Sequence, residues 1–300
     1  MTISGFSYIR NGFEYQYPFL QSIQSILPIC DEFVIAVGNS KDGTREAIEA
    51  LNSPKIRIVD TVWDEQLRVG GKIFAQQSNV ALRECKGDWL FHIQADEVIH
   101  EADLPVILKT IQEIDKNPKI EGLLLAFLNF YGSYDYLNNT RYQHKKEVRA
   151  FRKGLNVFSY RDSQGFRKYP SWEAYQQGHK GQKLAVHYLD KPVYHYSYVR
   201  PPEQMNEKSK FFETFWHDDT YIEKVYTNKK VYDYYNIERV KRFEGTHPAV
   251  MQEAVRNGSY DFDPTRISKK LRLKDKIAYW IEDRLPIRIG EYKNYRLIEP

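Results

Sequence analysis

The stretch Lys86-Gly87-Asp88-Trp89-Leu90-Phe91-His92-Ile93-Gln94-Ala95-Asp96-Glu97 decides the fold class. An apolar run, Trp89 to Ile93, ends abruptly in two carboxylates, Asp96 and Glu97. Such a run reads as a strand buried on both faces, the habit of a parallel sheet. Parallel strands present their carboxyl ends to the ligand crevice. Acidic groups placed there suit a hard divalent cation that holds a phosphate. Taken by itself, the end of the run also reads as a strand followed by a solvated acidic turn.

Working outward, the chain alternates strand and helix. Residues 3–9 and 33–37 read as strands, with helical spacing of Phe19, Ile23, Ile26 and Leu27 between them. Thr44 is placed to cap a helix running to about Leu51, and 55–60 form a third strand. Residues 72–85 predict a helix with Ile73, Phe74, Val80 and Ala81 on one face. A helix over 103–116 and a strong strand over 121–128 follow the opening run. This βαβ alternation predicts an α/β fold with a mostly parallel sheet flanked by helices. After Phe130 the texture turns Tyr-rich and polar, with short strands expected at 147–152, 156–160 and 193–199. From Pro201 the pattern is helical and charged. The expected organisation is a domain over 1–200, with a donor half to about 130 and an acceptor half from 131, and a helical C-terminal extension over 201–300.

Bulk properties bound the function. Of 300 residues, 42% are hydrophobic, enough for a real core, and the net charge of +4 does not suggest a nucleic-acid binder. The 23 Tyr and 16 Phe could stack on sugar or base rings, although Tyr is also an ordinary half-buried strand residue. Cys30 and Cys85 form no CxxC or Cys/His cluster and read as small core residues. The start, Met1 to Arg10, lacks the features of a secretory signal, and no run approaches the roughly 20 apolar residues of a membrane span. A reducing, cytoplasmic compartment is the expectation.

Four segments in order now carry a resemblance: Ile9-Arg10-Asn11; Ser40-Lys41-Asp42-Gly43-Thr44; Phe74-Ala75-Gln76-Gln77-Ser78-Asn79 with Lys86-Gly87-Asp88-Trp89; and Gln94-Ala95-Asp96-Glu97. Together they resemble the GT-A, Rossmann-like glycosyltransferases of family 2, and among these the bacterial sugar transferases of lipopolysaccharide-core and related cell-envelope glycan assembly. The resemblance implies an inverting, metal-dependent transfer of a hexose-type sugar from a nucleotide-sugar donor to a glycan or lipid-linked acceptor. It makes Asp96 the main metal ligand, with Glu97 as ligand or supporting neighbour, and Mn or Mg as the ion. Arg10, Asn11, Asn39, Ser40, Asp42, Asn79, Gln94 and Ala95 fall at donor-binding positions. The physics agrees, because helix N-termini and tight Gly turns present free N–H groups to phosphates.

The departures are informative. Neutral Gln94 stands where the family has the first aspartate of its acidic motif, so one anionic ligand is lost, or Gln94 contacts the donor sugar or ribose. Val37-Gly38-Asn39-Ser40 lacks the aspartate that reads the nucleobase, so no base is implied. Ser78 replaces an arginine, and Lys72 or Arg68 is the substitute cation. A histidine ends a late strand at the metal in related enzymes, which points to His195; the alternative is a strand histidine packed among tyrosines. In the resembled family a strand like Glu147-Val148-Arg149-Ala150-Phe151-Arg152 is followed by the carboxylate that acts as general base, so the resemblance makes Asp162 the first candidate, with Glu173 second; each is otherwise an ordinary loop carboxylate. Tyr169, Trp172 and Tyr175 are an aromatic platform for the acceptor, or simply packing.

In the tail, Leu273, Ile277, Trp280 and Ile281 share one helical face flanked by Lys274, Lys276 and Arg284. Residues 265–300 hold ten Lys/Arg against five Asp/Glu. Such a helix either docks on the catalytic domain or lies peripherally on the inner face of an anionic membrane. Two other functions fit parts of the pattern: a nucleotidyltransferase, and a non-catalytic carbohydrate-binding or scaffold protein that has lost its metal.

Overall fold

The structure, a computed structural model, describes residues 1–64, 66–68, 70–163, 165–258, 260–285, 288 and 290–298. The first half runs β1 (Ile3–Ile9), α1 (Phe19–Ile26), β2 (Glu32–Val37), α2 (Thr44–Glu49), β3 (Ile56–Asp60), α3 (Lys72–Glu84), β4 (Trp89–His92), β5 (Glu97–Ile99), α4 (Leu104–Asp115) and β6 (Gly122–Tyr131). Then come β7 (Ser133–Asn138), β8 (Lys146–Arg152), β9 (Val157–Tyr160), β10 (Gly165–Lys168), α5 (Trp172–Gln176) and β11 (Gln182–Tyr198). The extension holds α6 (Pro202–Glu213), α7 (Asp219–Tyr226), β12 (Val240–Arg242), α8 (Gln252–Asn257), α9 (Leu273–Glu282) and β13 (Tyr295–Leu297).

The main sheet has the order β3-β2-β1-β4-β8-β6-β11-β10-β9. Its first four strands are parallel, as the βαβ pattern requires. Beyond β4 the pairing is mixed: β8 is antiparallel to both β4 and β6, while β11 is parallel to β6. The α/β, GT-A-type architecture is the expected one, but the sheet is mixed where a mostly parallel one was expected: parallel pairing is concentrated in the first half, and antiparallel pairs dominate beyond β4.

Side chains alternate across the strands into two cores. Ile3, Ile35, Phe91 and Leu123 join Phe19, Ile23, Ile107 and Ile111 from α1 and α4 on one face. Phe6, Val34, Leu90 and Leu124 join Ala81 and Leu82 of α3 on the other. Cys30 and Cys85 are free and buried.

Two local expectations change. Thr44 is the first residue of α2, not its cap; Gly43 takes the capping position at φ +83°. The Asp42 carboxylate supplies the capping acceptor, accepting from Thr44 N at 3.1 Å. The strand expected at 193–199 is the end of a longer one, β11. Pro192 lies inside this strand, where a bulge between Leu189 and Pro192 accommodates it. The extension is stitched to the sheet through β13, parallel to β11, and β12, antiparallel to β7.

Candidate active site

A cavity of about 250 Å³ opens at the carboxyl ends of β1 and β4. Its polar side chains include Gln94, Asp96, Asp162, His195 and Ser197, and Ala95 lines it between the first two. Tyr8, Trp63, Phe74, Phe211, Phe212 and Trp216 make aromatic walls. The last three come from the C-terminal extension; Phe212 stacks on Phe74 of α3, ring centroids 4.9 Å apart, and Phe211 on Tyr15 at 4.4 Å.

Local structure sets Asp96. After β4 the chain turns at Gln94–Asp96 and enters β5, which pairs antiparallel with β11, placing Glu97 opposite His195. Tyr196 N donates to Asp96 O at 2.8 Å and locks the turn. The Asp96 side chain is buried, with His195 Nε2 at 3.7 Å and Lys208 Nζ at 3.5 Å from Oδ2. Burial opposes its ionisation, but His195, Lys208 and Arg200 outweigh burial and hold the carboxyl far below the usual carboxylate range.

His195 is oriented by a second layer. Asn129 Nδ2 donates to His144 O at 2.9 Å, so its Oδ1 faces the ring and accepts from His195 Nδ1, also at 2.9 Å. In the neutral imidazole this leaves the Nε2 lone pair toward Asp96. With the imidazole neutral, these two acceptors 3.7 Å apart could hold a cation between them; with it charged, the same Nε2–H pairs with the carboxylate directly. Among the described residues no cluster of three His, Cys, Asp or Glu side chains forms a larger site. Asp96 and His195 are thus the pair that could hold a divalent ion, with other positions left to ligand oxygens and water.

Glu97 lies elsewhere. Fully buried, it faces Arg149: Arg149 Nε donates to Oε2 at 2.9 Å and Nη2 donates to Oε1. Gln94 N also donates to Oε2, at 3.0 Å. The expectation of Glu97 as a metal ligand gives way to a supporting one, because both oxygens already have partners. Gln94 itself borders the cavity, and its Nε2 donates to Ser163 O at 3.3 Å.

The other donor candidates divide. Arg10 lines the cavity and stacks on Trp63, 5.7 Å from the ring centroid. Asn11, Asn39, Ser40 and Asp42 do not line it; three of their side chains hold backbone that frames it. Ser40 Oγ accepts from Asn11 N at 2.9 Å, and Asp42 Oδ2 accepts from Phe13 N and Glu14 N at 2.9 and 2.8 Å. Asn39 Oδ1 accepts from Trp63 N at 3.4 Å. Gly38 lies tight against the wall: a Cβ there would meet Trp63 Nε1 at 2.6 Å. Asn79 is buried and braces β9 and α5, its Oδ1 accepting from Ser159 N at 2.7 Å and its Nδ2 donating to Tyr175 OH at 2.9 Å.

Lys72 lines a second, more open groove of about 600 Å³ with Tyr160, Arg161, Tyr169, Trp172 and Tyr175. Asp162 stands between groove and cavity. Gly71, at φ +63°, lets the start of α3 approach it closely: an added Cβ would lie 2.8 Å from Asp162 Cβ. Glu173 is exposed on α5 and lines neither opening.

Sequence reasoning missed Lys208 and Arg149. Lys208 sits in a charged helical run that reads as solvated, yet it is buried and donates to Ser197 Oγ at 2.8 Å as well as to Asp96. For Arg149 a signal existed, a cation inside the apolar strand run Val148–Phe151, which demands a buried partner.

The model of the glycosyl transferase family 2 matches residues 17–168. The chain belongs to this family. Solved structures similar to this family 2 chain include S. aureus TarS 1–349, with a TM-score of 0.40 and 15% identity over 75% of this chain and 69% of that one. The mannosyltransferase PcManGT from Pyrobaculum calidifontis, in complex with GDP-Man and Mn2+, scores 0.40 at 15% identity over 64% and 56% of the two chains. Glucosyl-3-phosphoglycerate synthase from Mycobacterium tuberculosis, in complex with Mn2+, UDP and phosphoglyceric acid, scores 0.29 at 20% identity, covering 43% of each. No curated protein matches the chain.

Proposed function

We propose that this glycosyltransferase moves a hexose-type sugar from a nucleotide-sugar donor to a glycan or lipid-linked acceptor, with inversion and with a divalent ion, Mn or Mg. The carrying observation is the pair Asp96 Oδ2 and His195 Nε2, facing each other at the carboxyl end of the parallel strands. The ion would sit on these two residues and supply charge stabilisation to the departing diphosphate. Arg10, Tyr8 and Trp63 offer stacking surfaces for the nucleoside, and Gln94 a polar contact for ribose or sugar.

Asp162 accepts the proton of the acceptor hydroxyl as its oxygen bonds to the anomeric carbon. The bond from that carbon to the phosphate oxygen breaks, and nucleoside diphosphate leaves. Asp162 takes this role over Glu173 because it alone borders the cavity. The groove of Tyr160, Trp172 and Tyr175 beside it suits a sugar ring of the acceptor. A cytoplasmic setting and a part in cell-envelope polysaccharide assembly belong to the same reading.

The test is release of nucleoside diphosphate from UDP- and GDP-sugars with and without manganese. Asp96→Asn should lower turnover by at least about 100-fold. Asp162→Asn should retain donor binding by calorimetry while transfer falls by a similar factor. Pyrophosphate release from nucleoside triphosphates would instead mark a nucleotidyltransferase, and neither release a scaffold.

A further inference from the structure

Helix α9 is mounted the wrong way round for a helix of a water-soluble domain. Its polar face is the docked one. Tyr279 is buried, its OH donating to Glu238 Oε2 and accepting from Arg141 N at 3.1 Å, with the Arg239 guanidinium 3.8 Å over its ring. Glu282 pairs with Arg141 at 3.0 Å, and Asp283 with Arg239 at 2.9 Å. The apolar face points to solvent: Leu273, Ile277 and Trp280 are 74%, 53% and 57% exposed. Spacing of i, i+4 and i+7 puts these three on one stripe, opposite Tyr279 and Glu282.

Charge says what covers that stripe. Lys270, Lys274 and Lys276 are exposed around it, and the Arg284 guanidinium lies 4.3 Å over the Trp280 ring. The helix's own acids are turned to partners, Asp275 to Arg272 and the other two to the docked side. An apolar strip bordered by cations matches the boundary between anionic headgroups and acyl chains. Tyr142, also exposed, stands beside Lys269 and adds an amphipathic ring at the same edge. A few side chains fall short of the roughly 800 Å² per partner that a stable protein interface buries. A bilayer sets no such threshold.

We propose that α9 is a membrane-surface anchor that lays Leu273, Ile277 and Trp280 into the headgroup boundary of an anionic bilayer. The inference is independent of the transferase reading, and its test needs no donor, metal or turnover. The full chain is sedimented with vesicles of phosphatidylcholine alone and of phosphatidylcholine with phosphatidylglycerol. It should pellet with the anionic vesicles only, and raising salt from roughly 0.05 to 0.5 M should cut the bound fraction at least about tenfold. Emission should shift to the blue on binding, and Trp280→Phe should remove that shift. The double variant Ile277→Ser/Trp280→Ser should stop pelleting while its melting temperature stays unchanged, because both side chains already face water. Equal binding to neutral vesicles, no binding to anionic ones, or undiminished pelleting of the double variant would overturn the anchor. So would a dimer in sedimentation velocity that the double variant dissolves, which would assign the face to a second copy of the chain.

Discussion

Replacing Arg149 by methionine tests the support beneath the acidic turn. Glu97 and Arg149 are both buried, and the guanidinium also donates from Nη1 to Val148 O at 3.1 Å. Removing the cation leaves a carboxylate buried without its counter-charge, a change that costs about 3–5 kcal/mol. Unfolding entropy is about 2.1 cal/mol/K per residue. For 300 residues this gives about 0.63 kcal/mol/K, so Arg149→Met should lower the melting temperature by about 5–8 °C. The double variant Glu97→Met/Arg149→Met removes both charges and should regain much of the loss, since apolar replacements of a buried pair are often near neutral. The assay is thermal unfolding of wild type, both single variants and the double, read as a double-mutant cycle. A shift under about 1 °C for Arg149→Met, or a double variant as damaged as the sum of the singles, would refute the pairing. Weakened manganese binding in Glu97→Gln without loss of stability would return Glu97 to the metal.

Lys208→Met removes the ammonium that shares Asp96 Oδ2, so manganese binding measured by calorimetry should tighten by about tenfold, or about 1.4 kcal/mol; weaker binding would mean Lys208 helps hold the ion's ligands. His92 is fully buried, and burial first, then Arg149, pushes its imidazole well below 6.5. The unfolded chain therefore takes up a proton below pH 6.5 that the folded chain refuses, so this group should withdraw stability as the pH falls from 7 to 5. In His92→Phe that part of the slope should vanish; an unchanged slope in urea titrations at the two pH values would disprove it. Gly71→Ala forces a Cβ against Asp162 at a left-handed φ, and should cost about 1–2 kcal/mol of stability and lower transfer more than donor affinity. Normal transfer by this variant would show that Asp162 tolerates displacement.

The parallel half of the sheet was legible because β1, β2 and β4 are buried on both faces and appear in sequence as short continuous apolar runs. Asp96 was legible through its place at the end of such a run. The structural part played by Asp42 was not legible, for a short-range reason. A carboxylate next to a Gly turn looks available to a ligand, but here the N–H groups of Phe13, Glu14 and Thr44 claim it. Glu97 misled for a long-range reason, since its partner lies 52 residues away. Lys208 carried no signal at all: a lysine in Glu207-Lys208-Ser209-Lys210 is buried only because α6 crosses the cavity, and local periodicity does not report that crossing. The true length of β11 was hidden by Pro192, because a bulge costs no visible change in composition.

Lys208 joins Asp96 across 112 residues of chain, and that separation orders events in time. Strands β1 to β4 close on helices that lie between them in sequence, so their contacts form at small loop-closure cost. The cation beside Asp96 arrives only when α6 has been synthesised and docked. A nascent chain halted before Pro202 therefore owns the nine strands of the main sheet order and most of both cores, without β12, β13 or Tyr295, and a half-walled crevice lacking Phe211, Phe212 and Trp216. The crevice gains these walls only past the chain's two-thirds point, in a step separate from the collapse that creates the main sheet.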